Sequence, residues 1–124
     1  MSLKGIRGAI TVEKNGKEEI WEAAKILVKE ILSSNKILPE DIGAIIFSST
    51  EDLTAAFPTT GARKLPGMNF VPLFDTRLPD VETDLPMCMR VLILAETEKQ
   101  QNEICHIYLR GAKNLRPDLK KRPD

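Results

Sequence analysis

The side chains that could do chemistry in this chain are cations near apolar segments: Arg7, Arg63, Arg90 and Arg116, with Tyr108 as a hydroxyl donor. Arg90 is the most demanding of them. It sits inside Met87-Cys88-Met89-Arg90-Val91-Leu92-Ile93-Leu94-Ala95, a run apolar enough to be a buried strand. A guanidinium stays charged at any ordinary pH. Among Met, Val, Leu and Ile it costs several kcal/mol unless an anion meets it. Arg90 therefore either pairs with a carboxylate of its own chain or waits for an anionic ligand. A set of guanidiniums suits a small dicarboxylate, because each carboxylate takes a forked pair of hydrogen bonds. The plain alternative is ion pairing with the 18 acids of the chain. For Arg63 and Arg116 the residues alone favour that alternative. For Arg90 both readings stay open.

The other routes to catalysis lack candidates. There is no nucleophile–base pair, and the single histidine, His106, shares strand parity with Tyr108 and reads as structural. Gly5-Ile6-Arg7-Gly8 is not a phosphate-binding loop, and no cysteine–histidine spacing suits zinc. No metal and no cofactor is expected. Basic and acidic side chains cancel to a formal net charge of +0, so nothing in bulk draws nucleic acid or a membrane surface. No apolar run approaches a membrane span. The N-terminus has no apolar signal segment, which points to the cytoplasm. Cys88 and Cys105 fall in apolar runs and read as reduced buried thiols.

With 124 residues and 42% hydrophobic content, the chain suits one domain, residues 1–124. Lys4 to Val12 alternates as a strand, with Ile6, Ile10 and Val12 on one face and Arg7 on the other. Asn15 with Glu18 forms a capping-box signature. Ile20, Ala23, Ala24, Leu27, Val28, Ile31 and Leu32 then form the stripe of an amphipathic helix. Trp21 lies off that stripe. Ala44 to Ser48 is a buried strand, and strand–helix–strand suggests a crossover with parallel pairing. Pro58 can start a short helix over Thr59 to Leu65. Phe70 to Phe74 reads as a strand at an edge, because of Pro72. Asp75 to Pro86 is an acid-rich loop. Ile104 to Leu109 is the last strand, expected antiparallel to the Arg90 strand. The tail from about residue 111 is basic, too polar for a core, and expected to be flexible. The sum is α+β: a mixed sheet of about five strands with one long helix on one face. The other face needs a cover, so a homo-oligomer is expected.

These segments also carry a family likeness. Gly5-Ile6-Arg7-Gly8-Ala9-Ile10-Thr11-Val12-Glu13 resembles the N-terminal signature of the monofunctional, AroH-class chorismate mutases. Thr50 to Pro58 is similar to the next block of that family. Cys88-Met89-Arg90-Val91, His106-Ile107-Tyr108-Leu109 and Leu115-Arg116-Pro117-Asp118-Leu119 match the rest. The likeness spans nearly the whole chain. It implies an α/β pseudo-barrel homotrimer with active sites between subunits, acting on chorismate to give prephenate without a cofactor.

By resemblance, Arg90 is the catalytic cation, free of any protein counter-ion and aimed at the ether oxygen. Arg7 and Tyr108 match ligand-gripping positions, and Phe57 matches an apolar wall. Arg63, Leu115 and Arg116 match the cleft mouth. One position departs: the family carries a glutamate for the ring hydroxyl where this chain has Leu78. Phe74 and Asp75 differ as well. Asp75 is expected to supply the displaced carboxylate, with Asp80, Glu82 or Asp84 from a re-routed loop as alternatives. A second reading follows from Leu78: a catalytically weak homotrimer that binds a dicarboxylate as a sensor or partner subunit.

Overall fold

The computed structural model describes residues 1–82 and 84–114. Its strands are β1 (Ser2–Thr11), β2 (Ile42–Ser49), β3 (Leu73–Arg77), β4 (Cys88–Thr97) and β5 (Ile107–Leu109). Two helices, α1 (Lys17–Asn35) and α2 (Pro58–Ala62), join 3-10 turns at Pro39–Asp41, Gln101–Glu103 and Arg110–Asn114. The strands form one mixed sheet in the order β3-β2-β4-β1-β5. Central β4 runs antiparallel to both β1 and β2. The outer pairs, β2–β3 and β1–β5, are parallel. This is the α+β architecture the periodicities predict.

The apolar run of β4 splits by parity. Met89, Val91, Ile93 and Ala95 are buried towards α1, and Arg90, Leu92 and Leu94 point to the other face. From α1 come Ile20, Ala23, Ala24, Leu27, Val28 and Ile31, all fully buried. The helix lies tight on β1 at Gly8, where an added Cβ would come within 2.8 Å of Ile31 and 2.9 Å of the Ile107 carbonyl. The helix ends on Lys36 in a left-handed conformation (φ 55), and the Ile37 N–H closes on the Leu32 carbonyl at 2.9 Å. Buried Asn35 then clamps the approach to β5. It donates to the Cys105 carbonyl at 2.9 Å and accepts the Cys105 N–H at 2.8 Å.

Several expectations from the sequence need correction. β5 pairs with β1 in parallel and not with the Arg90 strand, whose two edges are already taken by β1 and β2. β1 and β2 run in the same direction, but β4 lies between them. Asn15 does not cap α1, which starts at Gly16 without a side-chain cap. Its amide oxygen instead accepts the N–H groups of Thr54 and Ala55, each at 3.0 Å. β3 begins at Leu73, because Pro72 has no N–H to give to a ladder. It runs through Asp75 to Arg77, which shortens the acid-rich loop to 78–86. β3 is an edge strand, as the proline implies. The start of the tail is a 3-10 turn with Ala112 buried, and residues beyond 114 lie outside the described ones. Trp21 is half-buried, with the Lys64 ammonium 4.3 Å from its ring centre.

Candidate active site

The face of the sheet away from α1 carries two of the four predicted cations, Arg7 and Arg90, together with Tyr108. Register aligns one rank of side chains across all five strands: Thr76, Ser48, Arg90, Ala9 and Tyr108. Ala9, between Arg90 and Tyr108 in this rank, is fully buried and packed with Cys88, Tyr108 and Ala112. Arg7 is two residues from Ala9 on the same face, diagonal to Arg90. Behind this rank comes an apolar one: Phe74, Ile46 and Leu92, ending at Arg7. Phe74 is 64% exposed and Leu92 36% exposed. The open face thus pairs a rank carrying Arg90 and Tyr108 with a partly uncovered apolar rank.

The backbone around Arg90 and Tyr108 is held by long-range contacts. The Arg7 N–H donates to His106 Nδ1 at 2.9 Å, which fixes the imidazole with Nδ1 as acceptor. Tyr108 is buried with Ala9, Cys88 and Ala112, and Leu85 packs on that cluster. Burial pushes the Cys88 thiol above its ordinary pKa, against the pull of Arg90 beside it.

Arg90 is not free of a protein counter-ion. Its NH2 group meets Asp84 Oδ1 at 2.5 Å, with side-chain exposures of 25% and 20%. The residues alone left a carboxylate partner open, and the structure shows it, which corrects the expectation of a guanidinium free of any protein counter-ion. The reason is the loop at 78–86, which folds back onto the open face and brings its own acid to a desolvated cation. The pairing is through one nitrogen. Arg90 Nε is buried and has no hydrogen-bond partner among the described residues.

The remaining candidates lie elsewhere on the chain. Alternation along β3 puts Asp75 on the α1 side of the sheet, opposite to Arg90. Its carboxylate accepts the Thr59 hydroxyl at 2.5 Å and the Thr59 N–H at 3.3 Å, at the start of α2. Phe57, 67% exposed, precedes α2. Arg63 follows α2 and donates from NH1 to the carbonyls of Met68, Asn69 and Val71, at 2.6, 3.2 and 3.1 Å. Phe57 and Asp75 border a cleft of about 550 Å³ with Lys17, Trp21 and Arg77. Leu78 lines a smaller hollow under the acid loop. Leu115 and Arg116 lie outside the described residues. Among the described residues no cluster of His, Cys, Asp or Glu could hold a metal ion. None of the described helices is long and apolar enough to cross a membrane.

The family described as chorismate mutase type I matches residues 3–119. The chain belongs to that family. The chorismate mutase AroH of Thermus thermophilus is 47% identical over 118 residues, which cover 94% of this chain and 96% of the relative. The chorismate mutase AroH of Bacillus subtilis (strain 168) is 40% identical over 119 residues, covering 96% and 94%. A solved chorismate mutase from Clostridium thermocellum superposes with a TM-score of 0.85 at 40% identity. That match covers 89% of this chain and 97% of the other. These findings establish the family that the sequence motifs indicate.

Three features of this chorismate mutase family member escape the sequence motifs. Ala9 stands between Arg90 and Tyr108, and only strand register reveals that. His106 holds the backbone of Arg7, and its nearness to Tyr108 in sequence was the one available signal. Asp84, one of several loop acids in the sequence, is the one that reaches Arg90.

Proposed function

We propose that this chain converts chorismate to prephenate, with Arg90 as the residue that stabilises the transition state. The reaction is a pericyclic exchange within one molecule. The ether C–O bond breaks as a C–C bond forms, and no proton or nucleophile takes part. A protein can help in two ways. It can hold the flexible dianion in its compact reactive shape. It can also aim fixed positive charge at the ether oxygen, which becomes negative as the bond stretches. Supporting the second role is the buried Nε of Arg90, a preorganised donor with no hydrogen-bond partner among the described residues. That observation carries the reading. Arg7 and Tyr108 lie on the same face of the sheet as Arg90 and suit the substrate carboxylates.

The active assembly, in this reading, is a homotrimer with sites between subunits. Two observations support it. Phe74 and Leu92 are exposed in one apolar rank of the open face. Phe57, Arg63 and Asp75 lie around α2, while Arg7, Arg90 and Tyr108 lie across the sheet. Residues matched to one cleft therefore sit on two surfaces of one chain, and a second copy would join them. Leu115 and Arg116 would close the mouth. Asp75 is committed to Thr59, so a substitute for the carboxylate missing at Leu78 is better sought in the acid loop. Cys88, a buried free thiol, fits a cytoplasmic setting.

The test is direct. Purified protein should consume chorismate, followed by loss of its absorbance, and acid should convert the product to phenylpyruvate. Saturable dicarboxylate binding without turnover would favour instead the weak, sensor-like trimer that Leu78 suggests.

A further inference from the structure

The loop at 78–86 is pinned at both ends. The Leu78 N–H donates to the Ser49 carbonyl at 3.0 Å. The Met87 N–H donates to the Asp52 carboxylate at 3.0 and 3.2 Å. Between those pins, two contacts hold the loop down on the open face. Asp84 Oδ1 pairs with Arg90, and Leu85 packs on Ala9, Cys88, Tyr108 and Ala112. Asp84 Oδ1 also accepts the Leu85 N–H at 2.8 Å, so the same oxygen sets the turn and meets the cation. Asp84 and Leu85 thus lie against the rank that is proposed to receive substrate.

We propose that Asp84 is an internal stand-in for a substrate carboxylate, and that the segment around Asp84 and Leu85 is a strap which substrate must displace from Arg90. The inference rests on the proposed site at Arg90 and adds its regulation. A desolvated guanidinium without an anion is costly. Asp84 offsets that cost in the empty protein. The contact is monodentate, so it lacks the second bond that makes a forked pair strong. An arriving dianion can offer that fork. It also repels Asp84, because two carboxylates then face one guanidinium. The strap therefore lowers apparent affinity for any dicarboxylate, by the free energy needed to release it.

Calorimetric titration of the assembled protein with prephenate tests this, using wild type, Asp84→Asn and Glu82→Gln. Asparagine keeps an oxygen for the Leu85 N–H and removes only the charge. Asp84→Asn should bind prephenate about fivefold more tightly or better, the scale of one partly exposed ion pair. Glu82→Gln should stay within about twofold, as a control for bulk charge. An Asp84→Asn protein that binds no more tightly than wild type overturns the proposal. So does equal tightening in Glu82→Gln. Hydrogen exchange on wild type tests the same point without a variant: the Leu85 amide should exchange faster when prephenate is bound, and unchanged exchange counts against the strap. Wild-type turnover of chorismate is measured alongside. Turnover with no effect at Asp84 refutes the strap alone, whereas absent turnover refutes the proposed function. Failure of every protein to bind prephenate refutes both.

Discussion

Replacing Arg90 by lysine probes the geometry of the cation more sharply than removing it. Lysine keeps the charge but has one nitrogen where arginine has three. Asp84 Oδ1 lies 2.5 Å from Arg90 NH2 and would capture that single ammonium. No donor would then remain where the buried Nε now stands. Loss of one preorganised donor at a developing oxyanion costs about 3–4 kcal/mol of barrier. Turnover should therefore fall by about two to three powers of ten. Arg90→Ala should fall at least as far. The readout is the initial rate of chorismate loss at saturating substrate, with circular dichroism to confirm the fold. The double variant Arg90→Lys, Asp84→Asn frees the ammonium and should regain about tenfold of the lost rate. A lysine variant with kcat within about threefold of wild type would refute the reasoning, since charge alone would then suffice.

Three further outcomes follow from the packing and the buried polar groups. Gly61→Ala would put a Cβ 2.4 Å from the Trp21 carbonyl oxygen and 2.6 Å from its Cα, backbone that cannot step aside. It should cost about 1–3 kcal/mol, seen as a fall of several degrees in the thermal midpoint, and an unchanged midpoint would contradict this close approach of α2 to α1. Asn35→Ala strips the partners from the buried N–H and carbonyl of Cys105. Urea unfolding should show a loss of about 2–4 kcal/mol with the slope unchanged. The third concerns Cys88, whose raised pKa means the native thiol keeps its proton longer than the unfolded one. Its stabilising contribution is complete below the ordinary thiol range of about 8.5 and declines as pH rises above it. The stability of wild type relative to Cys88→Ala should therefore decrease between neutral and strongly alkaline urea melts, and a pH-independent difference would contradict the shift.

Periodicity made the main elements legible. The stripe from Ile20 to Ile31 buries as read, and the alternation of β1 and β4 puts Arg7 and Arg90 on the face away from the helix. Facing is a local property, fixed by the two-residue repeat of a strand. Pairing is not local. Nothing in Ile107–Leu109 says that its neighbour is β1; the occupied edges of β4 decide that. Side chains with competing partners were equally opaque. Asn15 has the right type and spacing to cap α1, yet it serves Thr54 and Ala55, some 40 residues away. The site divides in the same way. Motifs pointed to Arg90, but its partner in the empty protein depends on how the acid loop folds. Among Asp80, Glu82 and Asp84, sequence offered no means of choosing. For Asp75, its position along the chain gave no hint that Thr59 at the start of α2 bonds its carboxylate.

A crystal structure of the protein with a bicyclic dicarboxylate mimic of the transition state bears most directly on the role of Arg90. The mimic's ether oxygen should lie about 2.7–3.1 Å from a nitrogen of Arg90, with Asp84 withdrawn from the guanidinium. A mimic bound in the cleft beside Lys17 and Trp21, with Arg90 still tied to Asp84, would contradict it.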